Sequence, residues 1–467
     1  MESKMESKKE SRIESKESKM ESKTEFKKES RIESKESKME SKKFLFVSLY
    51  GDISDVAWQV VKEGHQVKYY IHEQSERESG DGFIQKIDDW EKEVAWADVI
   101  VFDNVEGLGT KAKKIREQGK FVVGGTPYTD KLEDDRAFGQ EELRKVGINI
   151  IPHWDFTSFE EAIAFVQKNP SAYVIKPSGH AQANKSFLFV GEEDDGKDVL
   201  QVLEDYRKAW AKKIPYFQLQ KRISGVEIAV GAFFNGKQFL LPINVNFEHK
   251  KLFPGELGPS TGEMGTLAYW SGENKIFNYT LKKMEPLLAQ EGYVGYIDIN
   301  CIVNSKGIYP LEFTARFGYP TISIQQEGML SPMGEFLYEL AKGTEYKMKV
   351  KSGFQLGVIL CVPPFPFNDK KTFEVKSKDS VIVFKKPMEG MHIIDVKLVN
   401  NEWLVTGTLG AVMIVCGTGA TVKQTQQLVY NRIKNVVIPH VYYRTDIGDR
   451  WAEDADRLHS WGYLREM

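Results

Sequence analysis

Apolar residues arrive in short unbroken runs that alternate with stretches of helical spacing. Residues 44–50 (FLFVSLY) read as a buried strand, 54–64 (SDVAWQVVKEG) as an amphipathic helix ending on Gly64, and 66–72 (QVKYYIH) as the next strand. The alternation continues with 96–103 (WADVIVFD), a helix over 110–118 and 120–125 (KFVVGG). Strand, helix and strand in this order predict a parallel sheet with ligand loops at the carboxyl ends of its strands. Ser158 and Glu161 are spaced as a capping box opening a helix over 159–168, which a strand at 172–177 (AYVIKP) follows. Strand and hairpin patterns dominate 217–245. A further α+β unit spans 353–448, with strands near 354–362, 381–384 and 411–416 and a helix over 421–434.

Before residue 44 the pattern vanishes. Residues 1–19 recur almost unchanged at 20–38, and a third copy begins at Met39. The repeat is nearly all Glu, Ser and Lys and has no face to bury, so a disordered charged tail over 1–43 is expected. At 467 residues the chain exceeds one growing core, which predicts two or three subdomains. The 41% hydrophobic content and net charge of -3 are ordinary and give no reason for a nucleic-acid or membrane partner. Cys301, Cys361 and Cys416 lie in apolar runs without spaced partners, and the eight histidines form no metal-binding pair. With a charged start and no apolar run near membrane-spanning length, a cytoplasmic protein is expected.

Two segments carry the chemistry. GPSTGEMG (258–265) reads as a glycine-dense loop able to bring backbone N–H groups to an anion. In LEFTARFG (311–318), Glu312, Thr314 and Arg316 share one face of a strand, setting a carboxylate for a hard cation beside a fixed cation for phosphate oxygens. Arg136, Lys176, Lys185 and Lys221 beside Arg222 add the charges needed to bring two anions together. Gly231 to Lys237 mimics a phosphate-binding loop, but Gln238 replaces its hydroxyl and the Asn235-Gly236 pair marks a turn between strands.

GPSTGEMG, LEFTARFG, VIKPSGHAQANKS (174–186), SGVE (224–227) and VYYRTDIG (441–448) resemble, in order, segments of the glycinamide ribonucleotide synthetase (phosphoribosylamine/glycine ligase) family of the ATP-grasp superfamily. The resemblance implies a multidomain α/β and α+β ATP-grasp fold. Its expected parts are an N-terminal Rossmann-like pre-ATP-grasp domain (44–129), an ATP-grasp domain (130–345, with a flap lobe about 150–225), a C-terminal α+β domain (346–450) and a tail (451–467). It implies ATP binding by Arg136, Lys176, Lys185, Gln220, Lys221, Ile223 and Glu227, with Lys185 in a flap over the nucleotide. Asp298, Glu312 and Thr314 would hold Mg2+ or Mn2+. Arg316 and Lys185 would serve catalysis, while His249, Lys250, Gly258, Pro259, Ser260, Thr261, Gly262 and Arg316 would bind substrate. The implied partners are a small amino acid and an amine, and the implied assembly is a monomer or homodimer.

Two departures concern the substrates. Where the family has a glycine-rich loop with an arginine after its first strand, this chain has Leu49-Tyr50-Gly51-Asp52, and Tyr319-Pro320-Thr321 replaces an acidic motif after Arg316-Phe317-Gly318. ATP-dependent acyl activation in purine biosynthesis is one expectation. A ligase for a different amine, such as a modified nucleotide or a peptide, is a second, and an inactive nucleotide-binding scaffold is a third.

Overall fold

The computed structural model describes residues 39–178, 181 and 187–464. The charged repeats and Lys185 lie outside the described residues. The first sheet holds β1 (Lys43–Ser48), β2 (Gln66–Ile71), β3 (Val99–Phe102) and β4 (Phe121–Val123) in the order β2-β1-β3-β4, all parallel. Its strands are apolar throughout because both faces are covered: Phe44 and Phe46 enter one core, and Leu45 and Val47 another.

A second sheet of β5 (His153–Phe156), β6 (Tyr173–Pro177), β7 (Phe189–Val190) and β8 (Phe217–Lys221) is antiparallel, in the order β5-β8-β6-β7. Ser158 accepts a hydrogen bond from the Glu161 amide at 3.3 Å and opens the helix Phe159–Lys168, whose Phe159 stacks on Phe217 of β8 at 4.6 Å. This small lobe has its own core and is joined to the helix Arg136–Lys145 by a reciprocal amide pair between Gln140 and Gln218, 3.2 and 3.3 Å.

The central element is an eight-stranded sheet. It contains β9 (Val226–Asn235), β10 (Ile243–Phe253), β11 (Leu257–Ser271), β12 (Val294–Asn304), β13 (Gly307–Thr314), β14 (Phe354–Cys361), β16 (Met391–Ile393) and β19 (Ala411–Gly419), ordered β13-β12-β9-β10-β11-β14-β19-β16. A last small sheet orders β17 (Val396–Val399), β18 (Glu402–Val405), β15 (Val381–Phe384) and β20 (Val436–Val437). Period two gives the large sheet two unlike faces. Ile228, Val230, Val245, Phe247, Leu267, Ile297 and Ile299 fill the main core. The other face carries Glu227, Asn246, Glu248, Lys250, Asp298, Asn300 and Glu312, as the pairs Asn246↔Ala229 and Asn300↔Glu312 require.

Three segments differ from the sequence expectation. The residues grouped above as a C-terminal α+β domain do not build a sheet apart, because β14, β19 and β16 extend the central sheet from β11. Residues 258–265, read as a loop, lie inside β11, which pairs with β10 through register shifts. The glycines serve the irregularity: Gly258 has φ +82°, and a Cβ there would stand 2.6 Å from the Phe253 ring. Residues placed in a terminal tail form the helix Trp451–Ser460, with Trp451 packed on Phe247, Tyr269 and Phe354 at centroid distances of 5.2, 5.8 and 5.0 Å. Asn235-Gly236 is a turn, with Gly236 at φ +89°.

Candidate active site

The polar face gathers its charged residues where β9, β10, β12 and β13 lie side by side. Lys250 Nζ sits 2.7 Å from Glu227, 3.2 Å from Glu248 and 4.0 Å from Glu312. Asn300 Nδ2 donates to Glu227 at 3.2 Å and to Glu248 at 3.1 Å. Burial alone would raise the Glu227 carboxyl, but the Lys250 ammonium reverses this and holds it below the usual range. Burial likewise works against the Lys250 charge, and the surrounding carboxylates hold its pKa well above the ordinary lysine value.

Asp298 faces the same space from β12. Burial and the neighbouring Glu248 push its carboxyl to about 8, against help from a Thr314 hydrogen bond and from Arg316. A buried carboxyl with so little cationic compensation is suited to a positive ligand. Asp298, Glu312 and the buried Asn300 Oδ1, which finds no hydrogen-bond partner in the protein, make an oxygen donor set for a hard divalent cation. Among the described residues no group of three or more His, Cys, Asp or Glu is already drawn together as a metal cage, so the two carboxylates would hold such an ion with oxygens from other sources. The Thr314 hydroxyl is engaged with Asp298, which gives it a supporting place beside the expected ligands.

Opposite these acids stand two buried cations. Lys176, at the end of β6, is pushed down to about 7, chiefly by burial and then by Arg136, with Glu312 opposing. Arg136 is also lowered by burial and opposed by Glu312; both line one small pocket with Glu133, Gln140 and Phe313. Arg136 Nε and Gln220 Nε2 are buried without a hydrogen-bond partner. Lys221 is exposed and Ile223 half-buried at the strand end that leads into β9.

Arg316 follows β13. Its Nε donates to Glu133 at 3.2 Å, Nη1 donates to the Phe317 carbonyl at 2.9 Å, and the guanidinium lies 5.5 Å from the Tyr319 ring centroid. Glu133 also accepts from the Ala315 amide at 2.7 Å, so one carboxylate fixes both the backbone and the cation.

Several expected residues lie elsewhere. His249 follows Glu248 and precedes Lys250 on β10, so alternation turns it to the opposite face; it is buried, and its Nε2 accepts from the Gly448 amide at 3.2 Å. Burial, with Arg450 and Arg444 nearby, lowers it to about 3, and the structure does not bring it to the other substrate residues. Gly258, Pro259, Ser260 and Gly262 lie along β11, and Thr261 Oγ1 donates to the Lys250 carbonyl at 2.8 Å. Residues not foreseen include Glu248, Asn300, Glu133 and Glu263, which cross-strand register and tertiary packing bring to the site.

The first loop after β1 is acidic. Ser48 Oγ donates to Asp103 at 2.5 Å and accepts from the Gly51 amide at 2.7 Å, holding a tight turn at Gly51. Burial lifts Asp52 to about 6, with Arg316 opposing and Glu76 reinforcing; burial and Asp52 lift Asp103 to about 7.

A small antiparallel lobe closing over the polar face of a larger sheet, with lysine and arginine opposite carboxylates, defines an ATP-grasp protein. Residues 134–322 match the family model of the phosphoribosylglycinamide synthetase ATP-grasp (A) domain. Through that domain the chain belongs to the phosphoribosylglycinamide synthetase family. Phosphoribosylamine–glycine ligase of Streptococcus pneumoniae strain R6 is 25% identical over 344 residues, covering 72% of this chain and 79% of the relative. The ligase of Lactococcus lactis is 27% identical over 341 residues, 70% and 78% of the two chains. Among solved structures, phosphoribosylamine–glycine ligase from Thermotoga maritima superposes with a TM-score of 0.66 at 22% identity, covering 87% of this chain and all 100% of that one. The MgADP-bound biotin carboxylase domain of Hydrogenobacter thermophilus 2-oxoglutarate carboxylase gives 0.61 at 12% identity, with 91% and 100% covered. Among the described residues no helix is long and apolar enough to cross a membrane.

Proposed function

We propose that this chain is an ATP-dependent carboxylate–amine ligase acting through an acyl phosphate, as the phosphoribosylamine–glycine ligases of purine biosynthesis do. The observation that carries the reading is the opposition of Asp298, Glu312 and Asn300 on the large sheet to Lys176 and Arg136 beside the small lobe. Lys176 and Arg136 bind phosphate oxygens, whose charge restores the ammonium that burial disfavours. The Gln220 amide and the strand end through Lys221 and Ile223 receive the base, with Lys185 reserved for the flap. Asp298, Glu312 and Asn300 would hold Mg2+, which would neutralise charge on the triphosphate. Arg316, fixed by Glu133, orients toward the phosphoryl group as a carboxylate oxygen attacks the γ-phosphorus and the bond to ADP breaks. The amine nitrogen then attacks the acyl carbon, phosphate leaves, and the nitrogen gives up its proton to yield the amide. Lys250 keeps Glu227 and Glu248 ionised and in place during both steps.

ADP release with glycine plus phosphoribosylamine tests the reading, and the absence of ADP release with every amino acid and amine pair overturns it. The acidic first loop favours a second version of the same chemistry, with an amine other than a sugar phosphate. A phosphate placed there would face Asp52 and Asp103. Turnover with phosphate-free amines, and none with phosphoribosylamine, separates the two.

A further inference from the structure

Beyond Asp298 the polar face continues toward β10, β11 and the helix Thr321–Gly328, and there it carries no charge. Asn246, Thr266, Tyr296 and Gln325 are each at most 1% exposed. Asn246 Nδ2 and Oδ1, Thr266 Oγ1, the Tyr296 hydroxyl and Gln325 Oε1 find no hydrogen-bond partner in the protein. Buried polar groups are almost always satisfied, so five such atoms in one neighbourhood ask for a ligand that satisfies them. The sheet has made room for them. Gly231 stands opposite both Asp298 and Asn244, and Ala229 and Ala268 stand opposite Asn246. A Cβ at Gly231 would meet the Tyr296 hydroxyl at 2.1 Å, so only glycine there lets the ring lie across the sheet with its hydroxyl among Asn246, Gln325 and Asp298.

We infer that Asn246, Thr266, Tyr296 and Gln325 bind an uncharged hydrogen-bonding group carried by the carboxylate substrate, so that the acyl donor is an amino acid with a hydroxyl or amide side chain. The inference rests on the ligase reading above. The pocket belongs to the acyl donor because Tyr296 precedes Asp298 by two residues on the same face of β12, and the donor carboxylate must reach the phosphoryl group held at Asp298 and Glu312. An anionic side chain is excluded by Asp298 and by the buried Glu263, whose Oε1 is also unpaired and suits the donor's α-ammonium. An apolar side chain or bare glycine would leave the four polar residues unsatisfied, and a site built to hydrogen-bond a substrate group rejects an analogue lacking it by a factor of roughly 10²–10⁵.

The test uses the full chain with ATP, Mg2+ and hydroxylamine as trapping amine, reading hydroxamate formed from glycine, alanine, serine, threonine, asparagine and glutamine. Expected is a kcat/KM for one of the last four about a hundredfold above that for glycine. Tyr296→Phe and Thr266→Val, both close in shape to the native residues, should each raise the KM for that amino acid about tenfold while the KM for ATP stays put. Glycine or alanine as best donor, or an unchanged amino-acid KM in both variants, overturns the inference and leaves the ligase reading standing. Hydroxamate from no amino acid overturns both.

Discussion

Two acid-rich regions flank the reaction space and are built on opposite terms. On the large sheet, Glu227 and Glu248 are tied to Lys250 and Asn300, with bonds of 2.7–3.2 Å, and one of them is driven toward ionisation. Around the first loop, Asp52 and Asp103 have hydroxyl and amide neighbours with Arg316 at a distance, and both titrate above the usual carboxylate range. The first arrangement is complete in itself and stiff; the second stores a charge penalty that a bound cation would relieve. The difference teaches that the nucleotide side is preorganised, whereas the amine side is tuned by what it receives.

The comparison can be broken most severely on the sheet. Glu312→Ala should lower ATP turnover by on the order of a thousandfold, with an unchanged circular dichroism spectrum and melting temperature within a few degrees. Lys176→Met removes a buried charge whose pKa falls from 10.5 to about 7 on folding. Because the folded chain binds fewer protons than the unfolded one between those values, stability rises with pH across that window. The penalty is then fully present below about 7, amounting to as much as about 4 kcal/mol. The variant should therefore be more stable in urea titrations at pH 6, gain little at pH 10, and bind ATP poorly. Lys250→Met leaves Glu227 and Glu248 without their cation and should cost about 2–3 kcal/mol in the same titration at pH 7, an effect that Glu227→Gln partly reverses. On the loop side the sign inverts. Asp52 is raised to about 6, so its contribution is present below the unfolded value near 3.8 and lost as pH rises through 6. Asp52→Asn should gain about 1 kcal/mol at pH 8 and nothing at pH 3.5, read as a melting-temperature difference.

The runs at 44–50, 66–72, 96–103 and 120–125 gave the parallel sheet directly, because a strand covered on both faces is apolar at every position. Asp298 and Glu312 were legible as a pair because each sits in a short strand pattern. Their partners were not: Asn300, Glu248 and Glu133 reach the site through cross-strand register and a helix end that local spacing does not encode. His249 was misplaced for the converse reason. Adjacency to Lys250 in sequence means the opposite face in a strand, and reading the segment as part of a loop hid that rule. Glycine density in 258–265 imitated a loop, although here the glycines permit a strand to bulge. Lys185 lies outside the described residues.

The pairing of Gly265–Tyr269 with Phe354–Val358 bears on how this chain can be dissected. A fragment cut between β13 and β14, as the extent of the matched family domain invites, would strip one flank from β11 and bare a row of backbone donors and acceptors along a strand rich in buried side chains. Exposed edges of that kind template association with other chains. The excised catalytic half should therefore precipitate or oligomerise, and soluble truncations will have to retain β14 and β19 as a cover.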